Sequence, residues 1–233
     1  MGHSFFSHST VVYGRSNIAC IVYYEPDLSY DKECEANKEC EAIRYTIQPR
    51  LGLFQLESVQ QAKRALARST KRGFPVILAG LLFWLAAGGS AFFLPEEVVV
   101  WIYVFGVGVV FPLGILLARL MNIDIFAKGN PLGALAGIVG GVQILFAPII
   151  ILLVYREPQW LPFALGVLNG AHFLPYLWVY NSKTYLFHSV ATTGVAAVAG
   201  VVYMSSTFTV TPFAIAVVFV LTLIGLYAES RND

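Results

Sequence analysis

The chain has 233 residues, 57% of them hydrophobic and 12% charged, with a mean hydropathy of +0.68 and a net charge of +1. A soluble domain carries about twice that charged fraction, so a single water-soluble core is excluded and a bilayer is implied. The near-zero charge leaves no global field of the kind nucleic-acid binding needs.

Residues 1–56 differ in character from the rest of the chain. "IACIVYY" has the composition of a short strand, and "KECEANKECEA" repeats Lys32–Ala36 as Lys38–Ala42. Cys20, Cys34 and Cys40 are odd in number and form no C-x-x-C, which predicts a reduced cytosolic segment, not a disulfide framework. The six-residue spacing of Cys34 and Cys40 fits no common zinc pattern, so a solvated segment outweighs a metal site. The start shows no cleavable signal peptide. Phe6 stands where myristoylation of Gly2 requires Ser or Thr. This extension is expected to be weakly ordered, with a native start near Leu56 as one reading.

Residues 57–72 predict a short cytoplasmic amphipathic helix. Ser58 and Gln61 form a capping-box pattern. Val59, Ala62, Ala65 and Leu66 fall on one side and the basic residues largely on the other. Lipid sensing is one reading of those cations. Topogenic charge that only sets orientation is the plainer one.

From residue 73 the uncharged runs are long. They cover Gly73–Phe93, Val98–Ala118, Pro131–Tyr155, Leu161–Tyr180, Thr184–Met204 and Pro212–Ala228. Each is about long enough for a helix across a ~30 Å hydrocarbon core. Lipid leaves open strands with unpaired backbone groups, so the runs predict six transmembrane helices over residues 73–228, followed by a tail at 229–233. Asn130-Pro131 and Thr211-Pro212 each read as a cap followed by proline at the first helical position. Pro112, Pro148 and Pro175 are expected to kink helices two, three and four.

The fold class is thus all-α, a polytopic six-helix bundle. Lys63, Arg64, Arg68, Lys71 and Arg72 precede the first span, and Arg119, Lys128, Lys183 and Arg231 fall on the same side. Arg156 is alone opposite, with Glu96, Glu97 and Glu157. Both termini are therefore expected in the cytoplasm. Trp101, Tyr103, Tyr155, Trp160 and Tyr203 are expected at the outer interface, and Tyr176, Trp178, Tyr180, Tyr185 and Tyr227 at the inner one.

"NGAHFLPYLWVYNSK" places polar groups at membrane depth. Asn169, His172 and Tyr176 are spaced i, i+3, i+7 and share one helix face. Gln143 in the third span and His188 and Thr192 in the fifth lie at comparable depths. These six residues either line a path for a small solute or proton, or serve as interhelical hydrogen bonds that contribute about 0.6 kcal/mol each. No span carries Asp or Glu, which counts against a carboxylate-driven pump and leaves His172 as the titratable candidate. Haem between His172 and His188 fails on depth, since the two differ by roughly 6 Å. No H-E-x-x-H or G-x-S-x-G is present, so no catalytic residue, metal or cofactor is assigned and the chain is not read as an enzyme.

Gly133, Gly137 and Gly141 recur every four residues and predict a ridge for close helix packing. In the loop before them, Asp124 and Lys128 are expected to pair at the cytoplasmic interface, with Asn130 capping the next helix.

"FPVILAGLLFW", "FPLGILLARL", "DIFAKGNPLG" and "GAHFLPYLWVYNSKTYLF" together resemble a family of small bacterial multi-pass membrane proteins known only by a domain-of-unknown-function label. The resemblance runs from about Glu57 to the C-terminus and excludes the first 56 residues. It implies a bacterial plasma membrane and assigns no site. The expected partners are the lipid bilayer and a small-molecule solute, with no nucleic acid; the alternative is a non-transporting structural or interaction component.

Overall fold

The computed structural model describes residues 11–13, 20–22, 58–127 and 129–231. The chain divides into two units, Met1–Phe54 and Gln55–Asp233. In the first, β1 (Val11–Tyr13) and β2 (Cys20–Val22) pair antiparallel, with Val12 opposite Ile21. The strand read in "IACIVYY" is β2; β1 is an addition to it, and both are built from residues that favour pleated surfaces. Cys34, Cys40 and their repeat lie outside the described residues, as does most of the segment expected to be weakly ordered.

The second unit is helical throughout its described elements. Helix α1 covers residues 58–69. Then come α2 (Phe74–Ser90), α3 (Glu96–Leu120), α4 (Pro131–Gly141), α5 (Ala147–Arg156), α6 (Leu161–Val179), α7 (Lys183–Val202) and α8 (Thr207–Arg231). Ser58, the first residue of the expected capping box, is the first described residue of α1.

Five stretches are long and apolar enough to cross a membrane: Lys71–Ser90, Glu96–Leu120, Pro131–Arg156, Lys183–Val202 and Met204–Arg231. The expected six are reduced to five by that measure, because α6 is long enough but too polar. Its 19 residues reach about 28 Å, yet Asn169, His172 and Tyr176 dilute its apolar content.

Packing is set by small residues meeting large ones. α2 lies against α3 and α8, and α7 against α6 and α8. At Gly80 a Cβ would collide with the Phe219 ring, and at Gly166 it would fall 2.6 Å from the Ala196 methyl. Trp84 of α2 and Tyr103 of α3 are fully buried and meet edge-on, 6.1 Å between ring centres. The third span is different. Only 6% of its most apolar window is buried, and it touches the bundle chiefly through α6.

That third span is also broken. Val142–Phe146 is a 3-10 segment between α4 and α5. Pro148 has no N–H to give the carbonyl four residues back, so the α-helical ladder is cut just ahead of it. Pro112 and Pro175 lie inside the uninterrupted helices α3 and α6.

Asn130 caps α4 as expected, its Oδ1 accepting from the Leu132 N–H at 2.9 Å with Pro131 at the first helical position. The parallel expectation at Thr211-Pro212 is corrected: α8 begins at Thr207 and Pro212 lies inside it. A proline in the second turn leaves the carbonyl of Phe208 without its helical donor. The Tyr103 hydroxyl donates to that carbonyl instead, at 3.4 Å. Tyr103 is therefore a core residue and not part of an interfacial belt, and buried Tyr180 and Tyr185 depart from that expectation in the same way.

Candidate functional site

Polar chemistry collects at two levels: the end of the bundle carrying α1, and the interior between α6, α7 and α8.

At the first level the chain makes an unusual turn. Lys71, Arg72 and Gly73 have φ of 48°, 52° and 74°, three successive left-handed residues between α1 and α2. Gly73 adopts this freely, but Lys71 and Arg72 cost on the order of 1–2 kcal/mol each. Contacts around Arg72 hold the turn. Its Nη1 donates to the Tyr180 carbonyl at 2.7 Å, and its Nε lies 3.7 Å from Glu229 Oε2. Its carbonyl accepts the Tyr185 hydroxyl at 2.5 Å. Glu229 is fixed in turn, because its Oε1 accepts from the Thr184 N–H and hydroxyl at 3.1 and 2.8 Å. A charge taken out of water must be paired and hydrogen-bonded, and Arg72, only 7% exposed, is both.

α1 docks beside this turn. Leu66, Ala67 and Thr70 are buried, and so is Lys63 at 5% exposure, its Nζ 3.5 Å from the centre of the Trp178 ring. Removal from water lowers the pKa of the Lys63 ammonium, and the aromatic face compensates part of that cost. The Asn130 amide ties α1 to the loop before α4 by donating to the Ala62 carbonyl at 2.8 Å. The expected division into an apolar and a basic face is therefore corrected: Val59 and Ala65 are exposed, and a lysine occupies the buried face. Arg64, Arg68 and Lys71 point outward. A cavity of about 300 Å³ opens between α1 and the loop, with Asp124 among its lining residues. Asp124 Oδ1 accepts from the Phe126 N–H at 3.2 Å. Lys128, its expected partner, lies outside the described residues.

At the second level the predicted residues separate into two groups. Asn169, His172 and Tyr176 all lie on α6, and the Tyr176 hydroxyl donates to the Ala136 carbonyl of α4 at 2.9 Å. Gln143 is half-buried in the 3-10 segment. His188 and Thr192 are fully buried on α7, and His188 Nδ1 lies 2.8 Å from the Thr222 hydroxyl of α8. The Phe173 ring contacts both histidines, at 5.0 Å from His172 and 4.7 Å from His188. The α6–α7 contact is closed by Ser189, whose hydroxyl donates to the Gly170 carbonyl at 2.6 Å. Asn169 Oδ1, His172 Nδ1, His188 Nε2 and Thr192 Oγ1 are buried without a hydrogen-bond partner among the described residues.

The predicted glycine ridge is corrected. A Cβ on Gly137 or Gly141 would meet nothing within 4 Å, and one on Gly133 would meet only the preceding loop, 3.0 Å from the Phe126 carbonyl. The glycines that admit a neighbouring helix are others, Gly170 and Gly166 of α6 among them.

Arg72, Glu229 and Lys63 escaped sequence reading because charged residues beside a span look like topogenic charge. The available signal was Arg72-Gly73, an arginine joined to a residue that accepts left-handed backbone just where a helix must stop. Among the described residues no group of three or more His, Cys, Asp or Glu could hold a metal ion.

A family model described as a family of unknown function (DUF7010) matches residues 59–229. No curated protein and no solved structure matches the chain.

Proposed function

The chain belongs to the DUF7010 family of unknown function, and from that premise we propose a non-enzymatic, non-transporting structural or interaction component of a bacterial plasma membrane. It crosses the bilayer six times, with both termini cytoplasmic. Five stretches are apolar enough to cross unaided, and α6 crosses as the sixth, with Tyr176 of its polar face bonded to α4. An even count is supported by the Arg72–Glu229 pair, which brings the start of the first span and the end of the last to one level. Arg64, Lys71, Arg119, Lys183 and Arg231 are exposed and belong to that end, the arrangement expected of a cytoplasmic face.

The observation that carries the non-transporting reading is that three of the intramembrane polar side chains bond between helices: Tyr176 to α4, Ser189 to α6, His188 to α8. Such bonds hold a bundle together where lipid offers no hydrophobic drive for helix association. The four unpartnered atoms on Asn169, His172, His188 and Thr192 favour a second reading, passage of a proton or small solute along α6.

Proteoliposomes loaded with a pH-sensitive dye separate the two. Wild-type protein under an imposed proton gradient is expected to leak no faster than empty vesicles, and His172→Ala to lower only thermal stability. A proton flux that requires the protein and disappears with His172→Ala overturns the non-transporting reading.

A further inference from the structure

We propose that the bundle interior between α6 and α7, beside α8, is a binding site for ordered water. His188 organises it as a neutral imidazole with its proton on Nδ1 and a bare Nε2. The inference uses contacts within the bundle only and does not rest on the membrane reading.

The place of the proton follows from the neighbour on α8. Thr222 Oγ1 lies 2.8 Å from the Val218 carbonyl and 2.8 Å from His188 Nδ1. A hydroxyl has one hydrogen to give, and a carbonyl can only accept. Thr222 therefore donates to Val218 and is left to accept from the imidazole, which must carry its proton on Nδ1. A second proton on Nε2 would make His188 a fully buried cation. Such a charge needs a partner, and neither α6 nor α7 contains Asp or Glu. The one acidic residue of α8, Glu229, stands seven positions beyond Thr222 and faces Arg72. The Phe173 and Phe219 rings, edge-on to the imidazole at 4.7 and 4.6 Å between centres, bring no donor. Nε2 is thus a hydrogen-bond acceptor waiting for a donor.

Two other buried groups share that need. Thr192 is fully buried four residues further along α7, so its Cβ lies about 5–6 Å from that of His188. His172 of α6 is buried and touches the same Phe173 ring as His188. The register of the two helices sets the levels: Gly170 meets Ser189 and Thr193, and Gly166 meets Ala196. Those contacts put His172 within about a turn of Thr192. His188 Nε2, Thr192 Oγ1 and His172 Nδ1 have no partner among the described residues. Each would cost about 1–3 kcal/mol if left dry. Water matches the donors and acceptors. It accepts from the Thr192 hydroxyl, donates to His188 Nε2, and keeps a second hydrogen for His172 Nδ1. That gives the roughly three bonds usual for buried water. Full burial of His188 and Thr192 restricts the occupant to something that small.

The test is nitrogen-15 spectroscopy of the full chain in detergent, labelled at histidine. His188→Phe assigns the His188 signals by their loss. In the wild type Nδ1 is expected to be protonated and Nε2 bare, with magnetisation passing from water to the His188 ring. Thr192→Val removes one partner of the water and should lose most of that transfer. Thr222→Val removes the acceptor for Nδ1 and should move the proton to Nε2, and Thr222→Ser should restore the wild-type pattern. Should the variants fail to fold, the wild-type spectrum decides alone. A proton on Nε2 in the wild type overturns the proposal, and so does a wild-type tautomer kept in Thr222→Val. A bare Nε2 with no transfer from water marks a dry site and overturns it as well, as does unchanged transfer in Thr192→Val. None of these results removes the interhelical bonds of Tyr176 and Ser189 that support the non-transporting reading. That reading falls to a proton flux instead.

Discussion

The Tyr185 hydroxyl donates to the carbonyl of Arg72 at 2.5 Å, joining residues 113 apart in sequence. The bond ties the strained turn before α2 to the first turn of α7. Tyr185 is fully buried, and its ring lies 5.6 Å from Tyr180 and 5.5 Å from Tyr176. Replacing it with phenylalanine keeps the ring packing and removes only the donor. Tyr185→Phe is expected to lower stability by about 1–2 kcal/mol, the cost of an orphaned buried carbonyl. Denaturation in detergent measures the loss. If residues 58–73 do not also exchange faster, the turn is held by something else.

The Arg72–Glu229 pair predicts non-additivity. Arg72→Ala is expected to cost about 2–4 kcal/mol, less than a wholly buried pair because the Glu229 side chain keeps 27% of its exposure. Glu229→Gln should cost about 1 kcal/mol, since the amide oxygen still accepts from Thr184. In the double variant the Glu229 change should add little. Simple addition of the two losses would mean the groups act independently.

Glycine substitutions separate helix packing from sequence pattern. A Cβ on Gly170 would collide with Thr193 Oγ1 and fall 2.8 Å from the Ser189 carbonyl. Gly170→Ala is expected to cost about 1–3 kcal/mol by forcing α6 from α7. Gly137→Ala and Gly141→Ala meet open space and should be neutral or stabilise by up to about 1 kcal/mol through helix propensity. Thermal melts of the three variants check the ordering; a large loss at Gly137 would restore the ridge.

Tyr176→Phe removes the hydroxyl that joins α6 to α4. The expected loss is about 0.6 kcal/mol globally, the usual worth of an intramembrane hydrogen bond. Because α4 has no fully buried residue, its own exchange should rise more than that of α7. A uniform rise across all helices would contradict the view of α4 as a lightly held element.

The division between what was legible and what was not tracks the range of the forces. Composition and the uncharged runs determined that this chain is apolar enough for lipid and roughly where its helices lie, because hydrophobicity and proline act through local sequence. The Asn130 cap was readable for the same reason: its partner is two residues away. The turn from Thr207 into Pro212 was misread because a proline signals a helix start without excluding one a turn earlier, and Tyr103 supplies the missing donor from another helix. The spacing of Asn169, His172 and Tyr176 on α6 was visible, but the bond from Tyr176 to Ala136 was not, since it depends on which helix lies beside α6. Arg72 and Glu229 are 157 positions apart in sequence, and no pattern along the chain couples them. Only tertiary structure decided that Arg72 of the basic stretch turns inward while Arg64 and Lys71 remain outside, because burying that guanidinium is tolerable where a carboxylate and a carbonyl from distant helices already converge on it.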